Sequence, residues 1–82
     1  MNAEQHERYI VVFKDSASDA EIKNYAQEVE SGGGKIVHHY NPDGIMKSFA
    51  GHIPQNVYTS LSAQSGQSPI DFIEKDKEMK IQ

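Results

Sequence analysis

Six short stretches of this chain carry a regular apolar pattern, and their order predicts the fold. The first, RYIVVFK from Arg8 to Lys14, is β-branched and aromatic and reads as a strand. DSAS follows as a turn. Ser18, with Glu21 three residues on, makes a capping box, so a helix begins there. Ile22, Tyr25, Ala26 and Val29 then recur at helical spacing. SGGG, Ser31 to Gly34, stops this helix, because glycine takes the left-handed conformation that closes many helices. KIVHHY (Lys35 to Tyr40) and IMKSFAGH (Ile45 to His52) read as strands joined through the turn NPDG, and so as a hairpin. Pro54 suits the first turn of a second helix, whose apolar stripe is Val57, Tyr58 and Leu61. A polar loop, Ala63 to Pro69, leads into IDFIEKD, the fourth strand. Ile70 and Ile73 are three apart, so strict alternation fails and a bulge or a late strand start is expected.

The order strand, helix, strand, strand, helix, strand, with right-handed crossovers, puts both helices on one face of a four-stranded antiparallel sheet. The expected fold is therefore a ferredoxin-like βαββαβ sandwich of the α+β class. Residues 1–7 are expected to form a flexible N-terminal arm, 8–76 the domain and 77–82 an extended tail. Ile22, Val29, Phe49, Leu61 and Ile73 are the expected core. In the tail Met79 and Ile81 alternate with Lys80, a strand-like spacing with no later segment to pair with it.

In this topology the first strand is central. Tyr9, Val11 and Phe13 point to one side of it, Ile10 and Val12 to the other. Helices cover only one face, and the other should be polar where it meets water. Both sides are apolar here. Either the open face is simply greasy or something docks on it.

Composition narrows the field. An 82-residue chain makes one small domain, and a domain of this size buries only roughly 60–65% of its unfolded surface. Cysteine is absent, so no disulfide reinforces the core. The first ten residues lack an apolar signal region and no apolar run approaches the ~20 residues of a membrane span, so a cytoplasmic protein with no membrane partner is expected. The net charge of −4, with Arg8 the sole arginine, argues against nucleic acid. Tyr9, Phe13 and Phe49 could imitate the stacking aromatics of RNA-binding modules that share this topology, but the sequence signature of those modules is missing. His38 and His39 are adjacent in a strand, so their rings diverge, and His6 and His52 have no ligand-like spacing with them; no metal is expected. No nucleophile elbow accompanies the Ser, His and Asp residues, and SGGGK follows a helix without phosphate-loop spacing. No enzymatic activity and no cofactor are expected.

RYIVVFKDSASDAEIKNY, GGGKIVHHYN, MKSFAG and DFIEKDKEM resemble, in order and spacing, the subtilisin-propeptide family, in particular its small free-standing fungal inhibitors of proteinases A and B. The resemblance runs from about Arg8 to Gln82. The Phe-Ala-Gly of the third strand and the Ile-Glu-x-Asp before the tail carry most of it. It implies a ferredoxin-like domain whose open sheet face, with Ile10 and Val12, packs on two surface helices of a subtilisin-like serine protease. It implies that the tail, Glu78, Met79, Lys80, Ile81 and Gln82, lies in the substrate cleft as an added strand. Gln82 would sit at the primary specificity pocket, product-like, with its carboxylate near the oxyanion hole. Met79 would fill a second, apolar pocket, which its flexible thioether suits. Glu74 and Asp76 match an acidic pair that meets the N-termini of the two protease helices, where free N–H groups and the helix dipole favour carboxylates.

With no protease domain after Gln82, the chain is expected to act in trans, as a monomer when free; assistance to protease folding stays open. Two departures stand out. Family tails often end in small or aromatic residues, whereas this one ends in Met, Lys, Ile and Gln. Gln82 suits an apolar pocket poorly, so the tail register stays open by one residue. The competing expectation is a ferredoxin-like protein-interaction or regulatory module with a different partner.

Overall fold

The computed structural model describes residues 6–39, 47–67 and 69–76. Its elements are β1 (Arg8–Phe13), α1 (Asp19–Ser31), β2 (Lys35–His39), β3 (Lys47–His52), α2 (Gln55–Ser62) and β4 (Ile70–Lys75). The sheet order is β2-β3-β1-β4, with every neighbouring pair antiparallel. This is the ferredoxin-like α+β arrangement that the pattern predicts. The turn NPDG, Tyr40, Ile45 and Met46 lie outside the described residues, as does the tail 77–82.

Local chemistry sets the helix ends. The Glu21 backbone N–H donates to Ser18 Oγ at 3.1 Å, and the Ser18 N–H donates to Glu21 Oε1 at 2.9 Å, completing the capping box. Such a cap contributes about 1 kcal/mol. At the other end Gly33 takes φ +101°. Gly34 has a different reason to be glycine. A Cβ there would lie 2.5 Å from the His52 carbonyl oxygen and 2.6 Å from Val29 Cγ1, so the chain passes under β3 only without a side chain. Pro54 is the N-cap of α2, one position before the expected first turn. Its ψ of 151° is extended while its carbonyl already accepts from the Tyr58 N–H at 2.8 Å.

Val11 and Phe13 of β1, Ala26 and Val29 of α1, Phe49 of β3, Val57 and Leu61 of α2 and Ile70 of β4 form one buried cluster. Both helices therefore cover the same face. Of the expected core, Val29, Phe49 and Leu61 are fully buried, while Ile22 and Ile73 pack against the cluster from its edge. The Phe13 ring meets Tyr25 and Phe49 at 5.7 and 5.6 Å, and Tyr9 stacks on Tyr58 at 4.3 Å. Tyr25 donates to Gln64 Oε1 at 2.8 Å, joining α1 to the turn after α2. Burial, with smaller contributions from Tyr58 and Glu7, raises the pKa of the Tyr9 phenol.

The bulge expected from the Ile70–Ile73 spacing is present. Val12 pairs with Phe72 and Phe13 with Ile70, leaving Asp71 as the extra residue. The added residue restores parity, so both isoleucines reach the helix side and Phe72 turns the other way. A second irregularity, in β2, was not expected: Ile36 pairs with Gly51 and His38 with Ala50, leaving Val37 unpaired. Both bulges fall on the edge strands, where they hinder pairing with another sheet. The carbonyls of His6 and Glu7, placed in the arm by sequence, accept from His52 Nδ1 and the Ile53 N–H, each at 2.9 Å.

Candidate functional site

The second face of the sheet has no helix on it among the described residues. Arg8, Ile10 and Val12 alternate with the core-facing Tyr9, Val11 and Phe13, so they lie on this open face. The strand register then names their neighbours. Val12 lies between Ser48 and Phe72, Ile10 between Ala50 and Glu74, and Arg8 beside His52. The centre is an apolar strip with one hydroxyl, and charged residues flank it. Phe72 is 39% exposed, a large apolar ring left on the surface of a small domain. Val12 is only 5% exposed, so an approaching surface meets Phe72 and the half-buried Ile10 before Val12. Ser48, beside Val12, has a buried hydroxyl with no hydrogen-bond partner.

Glu74 and Asp76 lie at the end of β4 but in different settings. Glu74 is exposed. Asp76 is held: its N–H donates to the Arg8 carbonyl at 2.9 Å, and its Oδ2 lies 2.7 Å from Arg8 Nε, with both side chains 19% exposed. The backbone bond extends the β1–β4 ladder one residue beyond the strand. The ion pair fixes the side chain at the same point. Together they clamp the position from which the chain continues into Lys77–Gln82. The tail residues Glu78, Met79, Lys80, Ile81 and Gln82 lie outside the described residues.

The face is electrically divided. Glu74 and Asp76 sit along β4. His52 and Lys35 sit two and three strands away, on β3 and β2 respectively, in one cross-strand row with Arg8. His52 Nδ1 lies 2.9 Å from the His6 carbonyl oxygen, which can only accept, so Nδ1 carries the proton. His38 and His39 do diverge. His39 packs its ring 6.2 Å from Phe49 on the helix side, while His38 pairs with Ala50 on the open side. Among the described residues no group of three or more His, Asp or Glu side chains is placed to hold a metal ion, and no helix is long and apolar enough to cross a membrane.

The sequence singles out Ile10 and Val12 as sheet-face contacts and Glu74 and Asp76 as capping acids, and the sheet register brings all four onto one face. Sequence reasoning missed Phe72, Arg8 and His52. The signal for Phe72 was available: once the bulge is put at Asp71, parity counted back from Ile73 turns Phe72 to the open side. Arg8 needs the register between the first and last strands, which no local pattern carries.

The sequence model of the peptidase inhibitor I9 family matches residues 8–82. The chain is 39% identical over 69 residues to serine proteinase inhibitor IA-2 of Pleurotus ostreatus, covering 84% of this chain and 88% of that protein. It is 38% identical over 69 residues to inhibitor IA-1 of the same organism, with the same coverage. Protease B inhibitor 2 of Saccharomyces cerevisiae is 28% identical over 71 residues, 87% of this chain and 91% of that protein.

Proposed function

The chain belongs to the peptidase inhibitor I9 family, and from that premise we propose that it is a non-enzymatic, reversible inhibitor of subtilisin-like serine proteases. The observation that carries this reading is a family match over residues 8–82, which takes in both the open-faced sheet and the segment beyond Asp76. The open face supports it physically. An exposed phenylalanine and a central strand apolar on both sides are what a docking surface leaves behind when its partner is away.

In the proposed complex the open face packs on the protease surface through Phe72 and Ile10, with Val12 beneath. The segment Glu78–Gln82 adds a strand to the substrate cleft, main-chain hydrogen bonds giving affinity and side-chain pockets giving selectivity. Gln82 lies at the primary pocket and Met79 in a second apolar pocket. Glu74 and Asp76 face exposed helix N-termini of the protease, each contact contributing about 0.3–1 kcal/mol where solvent reaches it. The two acids are unequal. Glu74 is exposed and available, whereas Asp76 brings Arg8 with it, so its net charge toward a helix end is smaller. The chief work of Asp76 is then to fix where the tail leaves the sheet.

Titrating a subtilisin with the purified chain tests the proposal. Activity is expected to fall linearly to a one-to-one equivalence point and to return on dilution. A protease left fully active at large excess of the chain would favour a ferredoxin-like interaction module for another partner.

A further inference from the structure

The open face carries a pocket that neither the apolar strip nor the acidic edge explains. It has a volume of about 460 Å³ and is lined by Arg8, Lys35, Ile36, Val37 and His52. Three of these residues come from one cross-strand row, Lys35 opposite His52 and His52 opposite Arg8. The bulge in β2 supplies the remaining wall, leaving the unpaired Val37 37% exposed. Two cationic residues and a histidine thus stand among the lining residues, beside the exposed Val37. We propose that this pocket receives an acidic side chain, a carboxylate on an aliphatic stem, from the surface of the protease that the chain inhibits. The inference rests on the inhibitor reading above and adds a contact to it.

Two features favour a single protein carboxylate over a polyanion. The chain's net charge of −4 repels an extended anionic ligand. The Asp76 carboxylate already sits on Arg8, so the pocket has room for one more negative group rather than several. Lys35 and Arg8 both hold contacts within the chain, and the incoming carboxylate joins or exchanges with those contacts. The position of the pocket matters as much as its charge. Three strand spacings, about 14 Å, separate β4 with its acids from β2 with Lys35. A partner that is positive against β4 and negative against β2 fits in one orientation only, and the reversed orientation sets like charges together. Such patterns act mainly on orientation and association rate.

The test compares Lys35→Glu and Lys35→Gln with Lys23→Glu, a charge change of the same size on the exposed side of α1. Thermal unfolding confirms that each variant is folded. Inhibition constants are measured against a subtilisin that the wild-type chain inhibits. At an ionic strength of about 20 mM, Lys35→Glu is expected to weaken inhibition at least about tenfold, Lys35→Gln about threefold and Lys23→Glu less than about twofold, with the differences shrinking at about 0.5 M salt. Lys35→Glu inhibiting as well as wild type would overturn the pocket proposal while leaving the inhibitor reading intact. Lys23→Glu matching Lys35→Glu would also overturn it, since net charge alone would then account for the loss. Failure of the wild-type chain to inhibit at all would instead sink the inhibitor reading, and the pocket contact with it.

Discussion

Phe49→Ala is expected to lower the unfolding free energy by about 3–5 kcal/mol and to turn the inhibitor into a substrate. Phe49 is fully buried, with its ring against Phe13 and its backbone paired to Val11 in the centre of the sheet. Truncation leaves a cavity that β1, β3 and both helices cannot close without moving together. At the usual stability per residue, a domain of this length has about 4–12 kcal/mol to lose, so this one change removes a large part of it. The consequence for inhibition follows from the geometry. The tail can lie in a cleft without release only if the sheet holds its point of departure. A protease cleaves what opens, and when opening and closing are fast, cleavage follows the open population. A loss of 3–5 kcal/mol raises that population by about two to three and a half orders of magnitude. Denaturant unfolding and the decay of inhibition over time, measured on the same variant, check both halves. Normal, lasting inhibition by a chain shown to be largely unfolded would break the link between stability and inhibition.

Removing Lys80–Gln82 is expected to abolish inhibition while leaving stability unchanged. The last hydrogen bond of the described β1–β4 ladder is Asp76 N–H to the Arg8 carbonyl, and the Arg8–Asp76 ion pair closes the same point. Residues 80–82 lie beyond both. Unfolding curves of the shortened and full chains should therefore superimpose. In the proposed complex the same three residues supply strand hydrogen bonds of about 0.5–1.5 kcal/mol each and one apolar side chain, Ile81, of about 1.5–3 kcal/mol when buried. Their loss is expected to weaken binding by at least about a hundredfold. A shortened chain that inhibits as well as the full one would place all the affinity in the sheet face and remove the cleft from the account.

Much of the fold is legible in the sequence because its signals are local. Ser18 and Glu21 announce the start of α1, the glycines from Gly32 to Gly34 announce its end, and alternating side chains mark β1. Even the β4 bulge can be read, since two core isoleucines three apart in a strand require an extra residue between them. The β2 bulge cannot. Ile36, Val37, His38 and His39 give no alternation that would favour one register, and the choice falls to the pairing with Gly51 and Ala50. The site divides in the same way. Ile10 and Val12 are found by parity along one strand. The Arg8–Asp76 clamp and the row of Lys35, His52 and Arg8 join residues from distant parts of the chain, and only the strand order of the finished sheet brings them together. The roles of Glu78–Gln82 come from family resemblance, since their spacing alone says only that they can extend.

The central claim is that the sheet face and the tail engage one protease at the same time. A crystal structure of the full chain bound to a subtilisin tests it most directly. The account predicts Gln82 beside the catalytic serine, the tail paired as a strand in the substrate cleft, and Phe72 and Ile10 covered by the enzyme. A complex with Gln82 remote from that serine, or with Phe72 and Ile10 still facing solvent, would contradict it.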